Sequence, residues 1–426
     1  MARVRPLTRA AIIAVGSELL TPTKLDTNSL FITDRLNELG IDVATKAIVG
    51  DDRDELVHVA SALLSRVDLL VLCGGLGPTD DDVTRDAVGI ALGRSLAEDE
   101  AITARLRARF AARGFTMPMP ENNRRQAMVP AGARVIENTR GSAPGLWIDY
   151  DDRVVLLLPG PPRELKPMLT ALAEGSLRER TSGVPIVRRV VRIAGRIESQ
   201  VDEVLGPLYK EWSARNPSVA ATILAQPGSI ELHLSTRVAS AAEAKASLDN
   251  AVSDTVSAIG PDAYSTDGRL LEEIVGGLLV ERGLRIGVAE SCTGGLISSR
   301  LTDVPGSSRY VDASIVTYSN QSKSDLLDVA SSLIDAHGAV SEPVAAAMAD
   351  GIRARAPADI GVGVTGIAGP SGGTPEKPVG TVAIAVTTPA ARRVRTFRFH
   401  GERAQVKFQA AQSALDMVRR LLLDMR

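Results

Sequence analysis

Two stretches of this chain hold residue types at spacings that can do chemistry. The first is Gly74-Gly75-Leu76-Gly77-Pro78-Thr79-Asp80-Asp81-Asp82, directly after an apolar run. Glycines let a backbone close on a phosphate with its N–H groups turned inward. The acids Asp80, Asp81 and Asp82 offer the oxygens that a hard divalent cation needs, and a pyrophosphate ligand needs such a cation. One or two of them facing the loop would suffice. Without a ligand, the same segment reads as a tight turn with an acidic helix start, which the helix dipole favours.

The second stretch is Glu290-Ser291-Cys292-Thr293-Gly294-Gly295, between a predicted strand and a predicted helix. A nucleophile on such a turn is lifted clear of the sheet, and the backbone N–H groups after it can stabilise an oxyanion. Ser291 needs a base. None of the four histidines stands at an evident strand end. Lys323, beyond Tyr318-Ser319-Asn320, is the alternative, provided desolvation depresses its pKa. Thr365-Gly366, after a third strand, could complete the site. Two other readings stand beside this one: Ser291 as a helix N-cap, and Cys292 as a rival nucleophile lowered in pKa by the helix N-terminus.

Other strand ends support a cleft around the first stretch. Gly16-Ser17-Glu18 places a carboxylate after the first strand, and Asp26-Thr27-Asn28 has the form of a helix cap. Pro159-Gly160-Pro161-Pro162 is a stiff loop lacking an N–H donor at three of its four positions. Asn138 and Gly141-Ser142-Ala143-Pro144-Gly145 form a further small-residue loop. The expected nucleotide contacts are Gly74, Gly75, Gly77 and Thr79, with Asn28, Pro159 and Gly160 across the cleft. Glu18, Asp80, Asp81 and Asp82 are the expected metal ligands.

The elements that must position these residues follow from hydrophobic patterning. Ala11–Val15, Val67–Leu72 and Val154–Leu158 are near-continuous apolar runs, as strands buried on both faces of a parallel sheet require. Each ends in Gly or Pro. Leu30, Ile32, Leu36 and Leu39 recur at helical spacing between the first two. Residues 1–170 therefore read as a doubly wound α/β domain with its loops at the strand C-terminal ends. Residues 171–260 read as a small α+β domain in the order β-α-β-β-α, with no ligand motif. Gly260-Pro261 and Ser265-Thr266-Asp267-Gly268 read as a linker. Residues 265–426 read as a second α/β domain, with strands near 284–289, 314–318, 360–364 and 381–386 and a closing amphipathic helix over 403–422. The fold class expected is α/β: two doubly wound domains joined by a small α+β domain.

Composition narrows the function classes. The chain has 426 residues, a formal net charge of −2 and 3% aromatic residues. A near-neutral, aromatic-poor chain lacks the field and the stacking platforms for direct nucleic-acid binding. Cys73 and Cys292 stand alone, so neither a disulfide framework nor a zinc knot is expected. The apolar stretch near the N-terminus is too short for a signal peptide and no apolar run reaches 18 residues, so the protein is read as cytoplasmic with no membrane contact.

Several long motifs, in order, resemble one family across essentially the whole chain. Gly74–Thr79, Arg124-Arg125-Gln126-Ala127-Met128-Val129-Pro130 and Leu158–Pro162 resemble the first domain of the CinA family, itself similar to the molybdopterin-binding fold. Ala289–Gly295, Thr317–Asn320, Lys323, His337–Glu342, Val364–Pro370 and Gly380–Val382 resemble its C-terminal domain. The resemblance implies a nicotinamide-nucleotide amidohydrolase there, converting nicotinamide mononucleotide to the nicotinic acid form and ammonia without a cofactor. In that pattern Ser291 is the nucleophile and Lys323 its base, with Tyr318 and Thr365 assisting. Glu290, Cys292, Thr293, Gly294, Gly295, Gly366, Arg403 and Lys407 are the expected substrate contacts. For the first domain it implies cleavage of ADP-ribose to AMP and ribose 5-phosphate with Mg, Mn or Co. Ser17 stands where many members carry Asp, and Lys407 where Arg is more usual; a lysine does not reproduce a bidentate arginine clamp. The middle domain and family habit suggest a homodimer. The alternatives are one catalytic domain with a nucleotide-binding partner domain, and a competence or recombination accessory protein without enzymatic activity.

Overall fold

The structure, a computed structural model, describes residues 5–112, 119–181 and 183–425. The chain is α/β and separates into two compact units: residues 1–187 with 237–244, and residues 188–236 with 245–426. Among the described residues no helix is long and apolar enough to cross a membrane.

The first unit is built on β1 (Arg9–Val15), β2 (Asp42–Val49), β3 (Leu69–Cys73), β4 (Leu96–Glu98), β5 (Met128–Pro130), β6 (Arg134–Ile136), β7 (Gly145–Tyr150) and β8 (Arg153–Leu158). Its six-stranded sheet runs β2-β1-β3-β8-β7-β6, and β4 pairs separately with β5. β2, β1, β3 and β8 are parallel; β7 and β6 are antiparallel additions. The apolar runs have a simple cause. Ala10, Ile12 and Ala14 of β1 enter one core layer, and Ala11, Ile13 and Val15 enter the other. β3 and β8 divide their side chains in the same way. The helix Asn28–Glu38 buries Ile32 and Leu36, whereas Leu30, read as part of the same stripe, is 64% exposed.

The second unit holds β9 (Ile186–Ile193), β10 (Val219–Gln226), β11 (Ser229–Arg237), β12 (Ala263–Ser265), β13 (Ile286–Glu290), β14 (Val311–Val316), β15 (Ile360–Gly366), β16 (Thr381–Thr387) and β17 (Arg392–Arg398). One sheet is β10-β11-β9-β12, the other β14-β13-β15-β16-β17. The expected order of the small region is present, with β12 in addition. The linker reading over 260–268 is therefore corrected. Ala263–Ser265 pairs with β9, and Ala194 N–H donates to the Asp262 carbonyl. Arg420 and Arg196 both hold the Asp262 carboxylate, and Arg419 donates to the Pro261 carbonyl. Arg419 and Arg420 lie on the C-terminal helix Arg403–Asp424, so ion pairs fix this segment within its unit.

In the second sheet β13 lies parallel between β14 and β15, while β16 and β17 are antiparallel. Ile286 and Val288 of β13 face the layer containing the C-terminal helix. Ala289 faces the layer built on the helix Glu342–Arg355. Both candidate chemical stretches thus follow a strand buried on its two faces.

Candidate functional site

β13 ends at Glu290, and the pairing with both neighbours continues one residue further. Ser291 N–H donates to the Val364 carbonyl at 2.9 Å, and Thr317 N–H donates to the Glu290 carbonyl at 2.7 Å. This fixes the Ser291 backbone at the sheet's end. Past Thr317 the chain turns into the helix Asn320–Leu327, capped by Ser319, whose hydroxyl accepts from Ser322 N–H. Lys323 occupies its first turn. Its Nζ lies 3.2 Å from Ser291 Oγ and 3.0 Å from the Thr317 carbonyl. Lys323 is 2% exposed and Ser291 7% exposed. Burial penalises the charged ammonium and holds the Lys323 pKa below the ordinary lysine value.

Ser291 is not the cap of the following helix, Leu296–Asp303, whose N-cap is Gly295. That end is held by Glu290. This fully buried carboxylate accepts from the backbone N–H groups of Gly295, Ile297 and Ser298 and from the Ser298 hydroxyl. The expectation that Glu290 contacts substrate is corrected: its oxygens satisfy helix amides that would otherwise be buried orphans. Gly295 N–H belongs to Glu290 and Gly294 N–H to the Ser291 carbonyl, so these residues build the turn beneath the nucleophile. Thr293 is fully buried with an unpartnered hydroxyl. Thr365 is also buried, and its hydroxyl donates to the Ala339 carbonyl rather than toward Ser291.

A cavity of about 240 Å³ opens over Ser291, walled by Cys292, Tyr318, Gly366, Gly369 and Arg403 among others. Arg403 spans it, donating to the Gly369 carbonyl at 2.7 Å and to the Tyr318 hydroxyl at 2.5 Å. Arg403 also lines an adjoining, more apolar cavity of about 1100 Å³ with Lys407, Leu296 and Phe408. A methyl group placed on Gly294 would meet Lys407 Nζ at 3.4 Å, so this ammonium stands over the turn after Ser291. Cys292 is buried, and its thiol is pushed up to about 12, chiefly by desolvation. It is not a thiolate at neutral pH, which removes the reason to prefer it as nucleophile.

The first unit carries a separate cavity of about 540 Å³ at the ends of β1, β3 and β8. Gly74 and Gly75 adopt φ values of +111° and +62°. A side chain at Gly74 would strike the Val15 carbonyl at 2.1 Å, so only glycine lets β3 turn here. Asn28 donates to the Gly160 carbonyl at 2.7 Å, tying the proline loop to the helix it begins. Pro159 and Gly160 line the cavity with the glycine loop.

The four expected metal ligands part company. Asp82 accepts from Gly77 N–H, Thr79 N–H and the Thr79 hydroxyl, so both its oxygens and the Thr79 side chain serve the loop. Asp80 pairs with Arg125 at 2.5 Å. Asp81 and Glu18 remain on the cavity wall. Among the described residues no three His, Cys, Asp or Glu side chains converge as a metal-holding group. This donor set fits a cation held by one or two carboxylates and completed by a ligand's own phosphate oxygens, not a cage built by the protein. Ser17 is engaged elsewhere: its N–H donates to the Asp51 carboxylate, and its hydroxyl accepts from Asp51 N–H.

Sequence reasoning passed over three residues of this cavity. Gln126 and Ser142 lie inside the quoted motifs and Glu164 two residues past the proline loop, and it is folding that brings them to one wall.

Comparison with known proteins matches all three regions. A CinA C-terminal domain model covers residues 268–422, a CinA KH domain model 188–265 and a probable molybdopterin-binding domain model 11–179. The chain is 47% identical to a CinA-like protein of Koribacter versatilis, over 97% of this chain and 100% of that one. It is 46% identical to a competence-damage inducible protein of Symbiobacterium thermophilum, over 97% and 99%. Among solved structures it is similar to a competence/damage inducible protein from Agrobacterium tumefaciens, at 38% identity and a TM-score of 0.35, covering 36% of this chain and 94% of that one. With full-length relatives at this identity and a family model on each region, the chain belongs to the CinA family.

Proposed function

We propose that the second unit is an amidohydrolase acting on nicotinamide mononucleotide, and that the first unit cleaves the pyrophosphate of ADP-ribose. The observation that carries the first reading is the buried Lys323 Nζ, 3.2 Å from Ser291 Oγ, with its pKa depressed. A neutral lysine takes the Ser291 proton while the oxygen attacks the carboxamide carbon. The carbon–nitrogen bond then breaks, and the same proton leaves with the nitrogen as ammonia. A water follows the same route: Lys323 takes its proton, the acyl–oxygen bond breaks, Ser291 recovers the proton, and the nicotinic acid form departs. The Gly294 and Gly295 amides are already engaged in the turn, so the backbone donors left for the developing oxyanion are those of Cys292 and Thr293. Arg403 and Lys407 give the cavity the positive charge that a nucleotide phosphate requires. No cofactor enters these steps.

For the first unit the supporting observation is the glycine loop and the carboxylates of Asp81 and Glu18 on one cavity. Those two carboxylates would hold Mg, Mn or Co, which supplies charge neutralisation to a diphosphate. The loop at Gly74, Gly75 and Gly77 supplies backbone close to the phosphates. Ammonia release from nicotinamide mononucleotide, and AMP release from ADP-ribose, by the purified full chain test the two readings separately. Loss of neither product on changing Ser291 or Asp81 would refute the respective assignment. A homodimer is part of this proposal, to be read by light scattering.

A further inference from the structure

The motifs around Gln126 and Ser142 have no part in the chemistry above. Arg124 is spent on Glu98 and Glu121, and Arg125 on Asp80 and the Thr79 carbonyl. Gln126 differs. It is 2% exposed, its Nε2 donates to Ser142 Oγ at 3.2 Å, and its buried Oε1 has no partner. An amide oxygen buried without a donor is an uncommon thing to keep. Gln126, Ser142 and Glu164 all line the cavity that holds the glycine loop.

Glu164 is 7% exposed. Its Oε2 accepts from Asn138 Nδ2 at 2.9 Å, and its Oε1 lies 3.8 Å from Arg163, too far for a hydrogen bond. The approach of this carboxylate depends on Gly141, where a Cβ would fall 1.8 Å from Glu164 Oε2. Gln126 bonds Ser142, and Glu164 packs against the neighbouring Gly141, so this wall carries acceptor oxygens from both side chains, the Gln126 oxygen lying buried at its base. Acceptors select ligand groups that donate, and the Glu164 charge repels phosphate. The glycine loop offers backbone amides for phosphate instead.

We infer that Gln126, Ser142 and Glu164 form a subsite for the vicinal diol of a ribose, making this cavity selective for ribosyl phosphates over their 2-deoxy counterparts. The inference rests on the nucleotide reading of the first unit. A vicinal diol brings two O–H donors on neighbouring carbons to adjacent acceptors, with its phosphate reaching the glycine loop. Replacing one hydroxyl by hydrogen leaves a buried acceptor unpaired, the strongest kind of discrimination that a polar site achieves.

The test is titration calorimetry on the full chain with ribose 5-phosphate and 2-deoxyribose 5-phosphate, each with MgCl2. The wild-type protein is expected to bind the ribose sugar at least ten-fold more tightly. Gln126→Met and Ser142→Ala are each expected to cut that preference below three-fold, mainly by weakening the ribose sugar. Thermal unfolding of both variants should stay at the wild-type midpoint, which separates a lost contact from a damaged fold. Equal binding of the two sugars by the wild type would overturn the subsite and leave the nucleotide reading standing. So would variants that weaken both sugars alike. A third arm compares AMP with IMP: a loss in Gln126→Met confined to AMP would assign the acceptor to the base's amine and overturn the diol. If the wild type binds neither sugar phosphate nor ADP-ribose, the nucleotide reading falls, and the subsite with it.

Discussion

Lys323 Nζ stands 3.2 Å from Ser291 Oγ, and its other contact, at 3.0 Å, is the neutral carbonyl of Thr317. Adjacent parallel strands β13 and β14 bring the two segments together, since Glu290 is in register with Val316. Its partners are neutral oxygens, and the cost of burial outweighs what the charge gains from them and from Cys292, which is the condition for a lysine base.

Ser291→Ala should lower deamidation on the order of 10³-fold or more, and Lys323→Ala comparably. The double variant should be little worse than either single, because the two act in one proton transfer. Lys323→Arg should not restore turnover, since arginine stays protonated. Retention of most of the rate by Lys323→Ala in an ammonia-release assay would assign the base to another group.

The pH profile should carry the Lys323 signature. Its folded pKa is lowered, so the neutral form accumulates as pH rises, and kcat/KM should climb and then level at that depressed pKa. The same shift acts on folding. Between the folded pKa and the ordinary lysine value of 10.5, the unfolded chain binds a proton that the folded site does not, so this group favours folding more as pH rises through that window. A profile that shows no rise at any pH below the ordinary lysine value of 10.5 would contradict the assignment.

Cys292→Ala should change turnover by less than about five-fold, by loss of packing alone. With the thiol pushed up to about 12, iodoacetamide at pH 7 should leave the deamidase intact. Rapid inactivation tracking a single alkylated Cys292 would return the cysteine to the chemistry.

Metal dependence should divide between the two units. Chelation should abolish ADP-ribose cleavage and spare ammonia release. Asp81→Ala should mimic chelation without lowering the melting temperature. Asp82→Ala should instead loosen the loop, at about 1.5–3 kcal/mol for the charged hydrogen bonds it loses. Equal loss of both activities in EDTA would refute the division.

A fragment beginning at residue 188 should melt higher than one beginning at Asp267. The shorter piece lacks Pro261 and Asp262, the partners of Arg419 and Arg420. Arg419 is 3% exposed, so losing its backbone acceptor leaves a buried guanidinium with Asp416 alone. Equal melting temperatures by circular dichroism would show that these contacts contribute nothing to the C-terminal region.

The sequence by itself determined the strands that are buried on both faces. β1, β3 and β8 are continuous apolar runs because each must fill two core layers, whereas β15 alternates Ile360, Val362 and Val364 with Gly361 and Gly363, against which a helix backbone packs closely. It also determined the glycine turns, whose backbone no other residue can follow at Gly74. Two edge strands, β2 and β17, are illegible. β17 reads Arg-Arg-Val-Arg-Thr-Phe-Arg, and β2 alternates exposed with half-buried residues, because a strand covered on one side needs no apolar run. β12 reads as a linker from sequence, since three residues pairing at a sheet edge leave no periodic signal. Tertiary structure alone decided what each polar side chain does. Glu290 and Asp82 sit inside functional-looking motifs, yet they spend their oxygens on helix and loop amides, and a motif records residue types rather than partners. Tyr318 meets Arg403 across 85 residues of chain, and Gln126 meets Ser142 across 16. Such contacts depend on where separate elements are carried by packing, which local propensity does not encode.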